Sequence, residues 1–145
     1  MLSTKIIATI AGLSFALAPA LATSGDATTL KDIMQGLRDD LIKITDGLLV
    51  DDFELIAEGA KGIAEHPRIP PHQVKLVAAE LGAEMPAFKQ MDTRVHELSL
   101  QIVAAADNAE REAAYRSYQS MSDGCLACHI AYRERVAEVL AADQP

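Results

Sequence analysis

The chain has 145 residues, half of them hydrophobic, and carries 13 basic against 21 acidic side chains for a formal net charge of −8. That length supports one domain with a proper core, and the acidity argues against nucleic acid or anionic lipid as a partner, since both attract basic patches. Aromatics make up only 4%, and no alternating run of β-branched residues occurs, so a sheet is not expected.

The first twenty-two residues read as an export leader. Lys5 supplies a positive start, Ile6 to Leu17 an apolar core, and Ala20-Leu21-Ala22 a small-residue cleavage site. The apolar run stops at Pro19, short of the ~20 residues that a membrane span needs. Cleavage after Ala22 leaves residues 23–145 as one soluble, exported domain, more acidic by one charge because Lys5 is lost. Acidity of this kind either keeps the protein soluble or steers it to partners with basic docking surfaces; the sequence leaves both open.

Residues 23–27 form a short lead-in. A first helix is expected from a threonine cap at Thr28 or Thr29, with Asp32 in the first turn where the helix dipole favours an acid. Leu30, Ile33, Met34, Leu37, Leu41, Ile44 and Leu48 recur at steps of three and four, and Lys31, Arg38, Asp39 and Lys43 fill the opposite side. This helix ends near Asp46-Gly47 or runs a turn further to Val50. A second starts with Asp51 as cap and Glu54 three residues on, like a capping box; it buries Phe53, Ile56, Ala60, Ile63 and Ala64 and ends at His66, before Pro67.

Residues 67–71 make a stiff proline-bearing loop. Pro71 is placed to open a short helix that Gly82 closes after Leu81. The next long helix starts between Glu84 and Pro86, carries Phe88, Met91, Val95, Leu98, Ile102 and Ala105 on one face, and ends at Asp107-Asn108, which also cap its successor. The last helix runs from Ala109 to about Ala142 with Tyr118, Met121, Cys125, Cys128, His129, Tyr132, Val136 and Leu140 on its inner stripe. The expected fold is all-α: an antiparallel up-down four-helix bundle with a short extra helix in the long connection between helices two and three, a design that builds cofactor sites from facing core side chains.

Cys125-Leu126-Ala127-Cys128-His129 on the last helix has the C-x-x-C-H spacing of c-type haem attachment. Two thiols must reach two vinyl groups on one porphyrin edge while an imidazole beside them ligates iron. Positions i, i+3 and i+4 of a helix share a face, so one turn can do all three. A disulfide fits a regular helical turn poorly because its geometry constrains both Cα separation and Cβ direction. A thioredoxin-type pair calls for a βαβ neighbourhood, which the pattern lacks. Gly124, costly by ~1 kcal/mol inside a helix, marks either a close approach of haem or a local break. Arg133, one turn beyond His129, is either a partner for a haem propionate or a solvated charge. Met34 lies on the core stripe of the first helix, and a thioether opposite an imidazole is the ligation of electron-carrying cytochromes c. On pattern alone Met34 competes with Met85, Met91, Met121 and with no methionine at all, since methionine is an ordinary gap filler. His66 and His72 read as exposed; His96 reads as a surface partner of Asp92, and as the second ligand candidate after Met34. Tyr115, Tyr118 and Tyr132 read as packing.

Cys125-x-x-Cys128-His129 on the last helix of such a bundle, followed by Ile130-Ala131-Tyr132-Arg133, resembles the class II cytochromes c, the cytochrome c prime superfamily. The stretch Leu30-Lys31-Asp32-Ile33-Met34-Gln35-Gly36-Leu37-Arg38-Asp39-Asp40-Leu41 is similar to the opening of the small periplasmic b-type cytochrome of the same fold, whose methionine at the place of Met34 is the sixth iron ligand. High-spin relatives typically carry arginine there, so the resemblance implies the low-spin branch. It implies a periplasmic monohaem one-electron carrier, not an enzyme, with one covalent haem c, His129 and Met34 on the iron, redox partner proteins and a possible homodimer. The alternative is a five-coordinate protein of the cytochrome c prime kind that binds NO or CO. A peroxidase needs a distal acid/base pair, and the stripe around Met34 offers only apolar residues.

Overall fold

A computed structural model describes residues 28–142, which contain five α-helices and no strand: α1 (Leu30–Val50), α2 (Phe53–Ala64), α3 (Pro71–Leu81), α4 (Met85–Asp107) and α5 (Arg111–Ala141). The expected leader and cleavage site lie outside the described residues. Among the described residues no helix is long and apolar enough to cross a membrane.

Local chemistry fixes each boundary. The Thr29 hydroxyl accepts from the Asp32 amide at 3.2 Å, and the Asp32 carboxylate accepts from the Thr29 amide at 2.9 Å, a reciprocal cap that opens α1. The Thr29 hydroxyl also donates to that carboxylate at 2.6 Å, and this bond first, then the one from the Thr29 amide, holds the Asp32 carboxyl below its ordinary value. The helix continues through Gly47 to Val50, and Asp51 ends it in the left-handed conformation at φ 60°, a conformation that Asp tolerates better than most residues. The cap of α2 is therefore Asp52, not Asp51: its carboxylate accepts from the Leu55 amide at 3.0 Å. Asp51 instead ion-pairs with Arg111 at the start of α5. Helix α2 stops at Ala64, two residues before His66.

The turn into α5 also departs from expectation. Glu110 N–H donates to the Ala105 carbonyl at 2.8 Å and Ala109 N–H to Ala106 at 2.9 Å, the pair of bonds of a Schellman ending, with Ala109 at φ 53° in the place that glycine usually takes. Asn108 does not cap α5; its side chain donates back to the Ala104 carbonyl at 2.8 Å. The last helix begins at Arg111 and passes through Gly124 without a break. A Cβ on Gly124 would stand 3.3 Å from Val95 Cγ2, so the glycine serves close packing of α5 on α4.

Antiparallel pairs build the molecule. Helix α1 lies along α2, α2 along α4, and α4 along α5. Contact of α1 with α2 is close because Gly47 and Gly59 stand at the crossing. A Cβ on Gly59 would meet the Asp40 carbonyl oxygen at 2.5 Å and Ile44 Cγ1 at 2.9 Å. One core gathers Ile44, Ile56, Ala60, Ile63, Leu98, Ile102 and Met121; a second gathers Leu30, Val77, Leu81, Tyr132 and Val136. Each large aliphatic side chain so buried contributes ~1.5–3 kcal/mol.

These contacts set opposite signs for two glycine substitutions. Nothing lies within 4 Å of a Cβ added at Gly36, so Gly36→Ala raises unfolding free energy by ~0.5–1 kcal/mol through helix propensity. Gly59→Ala gains the same propensity and still lowers stability by ~1–3 kcal/mol through overpacking. Urea unfolding of both variants gives the two signs directly.

Candidate functional site

One turn of α5 presents Cys125, Cys128 and His129, and the two cores part at that turn. Cys125 packs on the first core and Cys128 on the second. Helix α4 divides at the same level, with Val95 against the first core and Met91 and Phe88 against the second. Helix α1 divides too: Leu37 belongs with the first, Leu30 with the second, and Met34 between them belongs to neither. On three helices the change from one core to the other falls at one height, where Ile33 of α1 is also buried.

Which residues face across that seam follows from the register of α1 and α5. The Thr45 and Tyr118 hydroxyls are 2.8 Å apart, and Thr45 donates its only hydroxyl proton to the Leu41 carbonyl at 2.9 Å, so Tyr118 donates to Thr45. Eleven residues back from Thr45 lies Met34, and eleven on from Tyr118 lies His129. Eleven residues are close to three full turns at ~3.6 residues per turn, so each keeps the face of its reference residue, and antiparallel helices bring the two level. Leu30 sharing a core with Tyr132 and Val136 agrees with this register. Met34 and His129 thus occupy facing stripes at the same height, where α1 and α5 touch each other far less than either touches its hairpin partner.

Burial corrects the expected inner stripe. His129 is exposed and Met34 is 37% exposed; neither is sealed in the core. Ser122, Leu126, His129 and Arg133, spaced by four, three and four, form a stripe beside the buried face of α5. Along it Leu126 is 61% exposed, while the Ser122 hydroxyl oxygen is buried without a partner. Arg133 is exposed and makes no ion pair among the described residues. The neighbouring Arg135, which the sequence did not single out, binds Glu80 at 3.1 Å and Glu84 at 2.8 Å.

Both thiols are half-buried and free. Burial pushes the Cys125 thiol up; burial, followed by the negative charge of Asp92 and of Cys125, does the same for Cys128. Thiols held protonated in this way are poor metal-ion ligands and poor redox nucleophiles at neutral pH. Among the described residues no three His, Cys, Asp or Glu side chains converge as a metal-ion site. Of the other histidines, His66 Nδ1 donates to the Pro67 carbonyl at 2.8 Å. His96 Nδ1 donates to the Ala64 carbonyl on α2 at 3.2 Å in place of the expected Asp92 pair. Met121 is fully buried, and Met85 and Met91 line the second core. Met34 is the one methionine on the stripe that faces His129.

The donor set fits a haem better than a bare ion: two thiols and an imidazole on one turn, a thioether level with the imidazole, and apolar side chains left exposed on both stripes. Sequence reasoning missed Gln73, which is 7% exposed and accepts from the Leu30 amide at 2.7 Å. The signal was present, since Gln73, Val77 and Leu81 lie four apart and a glutamine interrupts an apolar stripe. Comparisons with protein-family models, with curated proteins and with solved structures found no significant match to the chain.

The register itself is open to measurement. A double-mutant cycle of Thr45→Val and Tyr118→Phe in urea is expected to give a coupling of ~0.5–1.5 kcal/mol, the range of one intramolecular hydrogen bond. A coupling indistinguishable from zero would remove the bond that sets Met34 level with His129.

Proposed function

We propose that the chain is a periplasmic monohaem cytochrome of the class II kind, an electron carrier and not an enzyme, built as an antiparallel up-down four-helix bundle from α1, α2, α4 and α5 with α3 in the connection. The single observation that carries the proposal is the apolar interior divided at the height where Met34 stands level with Cys125, Cys128 and His129. Further support comes from the motif spacing, from the likeness of the Leu30–Leu41 stretch to a methionine-ligated relative, and from the export leader read in the sequence.

Cys125 and Cys128 would hold the haem through thioether bonds, His129 and Met34 would ligate its iron, and Arg133 would pair with a propionate. A haem so bound supplies one-electron chemistry. The chain's own share is positional. Helix α5 fixes the imidazole beside the anchoring sulfurs, and α1 brings a thioether, a ligand that raises reduction potential. Phe88 and Met91 of α4 and Tyr132 of α5 keep water from the buried side, with Phe88 and Tyr132 in edge-to-face contact at 5.5 Å. Keeping both ligands in both oxidation states limits rearrangement on electron transfer. The net charge of −8 suits partners with basic docking surfaces.

Intact-mass analysis of protein matured in a host competent for haem attachment is expected to show one added haem, with Cys125→Ser and Cys128→Ser each forfeiting one thioether bond. The ferric protein is expected to be low-spin with a sulfur-to-iron charge-transfer band that Met34→Ala abolishes. A high-spin wild-type spectrum would favour the five-coordinate gas-binding alternative, and an unchanged spectrum in Met34→Ala would strike Met34 from the site.

A further inference from the structure

The two helices proposed to bear the iron ligands make little contact with each other near those ligands, so something else must fix their separation. At one end the Thr45–Tyr118 hydrogen bond joins them, three turns from Met34. At the other end Leu30 of α1 shares a core with Tyr132 and Val136 of α5, and α3 completes that core and adds polar bonds to both helices. Val77 and Leu81 of α3 pack with Tyr132 and Val136 of α5, and Arg135 of α5 binds Glu80 of α3 and Glu84 just beyond it. Gln73, in the first turn of α3, accepts the Leu30 amide of α1 at 2.7 Å in a buried setting. Leu30 is one turn before Met34.

Resting on the ligation proposed above, we propose that Gln73 is the positioning residue for the Met34 sulfur, acting through Leu30. The Leu30 amide is one of the helix-terminal donors that have no partner within the helix, and it is buried, so it needs an acceptor from elsewhere. Gln73 supplies it from an element already fastened to α5. The bond thereby ties the first turn of α1 to the helix that carries His129, and it sets how far Met34 stands from the imidazole. The Thr29 and Asp32 cap holds the same turn in helical form but reaches no other helix, so it does not fix that distance.

The test compares ferric wild type with Gln73→Leu, Gln73→Glu and Ile102→Ala, each titrated with imidazole while the sulfur-to-iron charge-transfer band is followed, and each unfolded in urea. Gln73→Leu fills the space and removes the acceptor. Gln73→Glu keeps an acceptor oxygen, and its charge is favourable at a helix N-terminus. Ile102→Ala weakens the other core, away from the ligands. Imidazole is expected to displace the thioether from Gln73→Leu at about one-tenth of the wild-type concentration, equivalent to ~1.4 kcal/mol. Gln73→Glu should return close to the wild-type value, and Ile102→Ala should lose global stability without moving the displacement midpoint. A Gln73→Leu midpoint equal to wild type, a shift matched by Ile102→Ala, or a failure of Gln73→Glu to restore it would overturn the assignment. Should Gln73→Leu not fold, hydrogen exchange of wild type decides: the Leu30 amide is expected to be protected like the amides of the α1 interior, and exchange at the rate of an open amide overturns the proposal. Wild type lacking the band refutes the ligation and this inference together. A wild-type band that Gln73→Leu leaves equally resistant to imidazole refutes the inference alone.

Discussion

The site depends on a constraint between two helices that scarcely touch. Helices α1 and α5 are held level by the Thr45–Tyr118 hydrogen bond, while most of the packing energy of each goes to its hairpin partner. Where two helices pack fully, ridges of side chains close the gap and leave no room for a third body. Here the close approaches are elsewhere, at the Gly47 and Gly59 crossing of α1 with α2 and at the Gly124 contact of α5 with α4. Small residues draw the hairpins shut on their inner sides, and the seam between α1 and α5 is left for Met34, Leu126 and His129.

Much of this was legible in the sequence because amphipathic periodicity is a local property. The stripes of α1, α2 and α4, the Pro71 start and Gly82 end of α3, and the C-x-x-C-H face of α5 all follow from spacing that a single helix enforces on itself. Boundaries failed where two residues could do one task. Asp51 and Asp52 both suit a helix terminus, and only the left-handed backbone at Asp51 assigns one to end α1 and the other to open α2. Ala109 failed for the opposite reason: a left-handed ending without glycine has no signal in composition. Burial of Met34 and His129 was misjudged because periodicity reports which face a residue is on, not whether a neighbour closes over it.

Exposed charge adds little to the stability of this arrangement. The Lys43–Glu58 pair at 2.8 Å joins α1 to α2 and Glu58 raises the Lys43 pKa, yet both groups stand in solvent, where such pairs add little. Arg135 differs in what it connects rather than in how strongly it binds. It engages Glu80 and Glu84 together, on two sides of the turn that ends α3. That makes it an orienting contact for a short helix that buries only Gln73, Val77 and Leu81.

For the proposed holoprotein, the order in which cofactor and fold would come together follows from the same division. The first core, with Ile44, Ile56, Ile102 and Met121 all fully buried, joins both hairpins and takes only Cys125 from the motif turn. The second is smaller and draws on α1 only through Leu30. A flat apolar group lodged between them would join the two into one interior and cover Met34 and Leu126, gaining ~25 cal/mol for each Å² of apolar surface removed from water. Since the thiols sit on α5 and the thioether on α1, under the proposed ligation attachment to α5 would precede closure of α1, and ligation by sulfur would depend on how firmly the first turn of α1 is held. In that proposed holoprotein, a buried glutamine on a short connecting helix would matter to the iron.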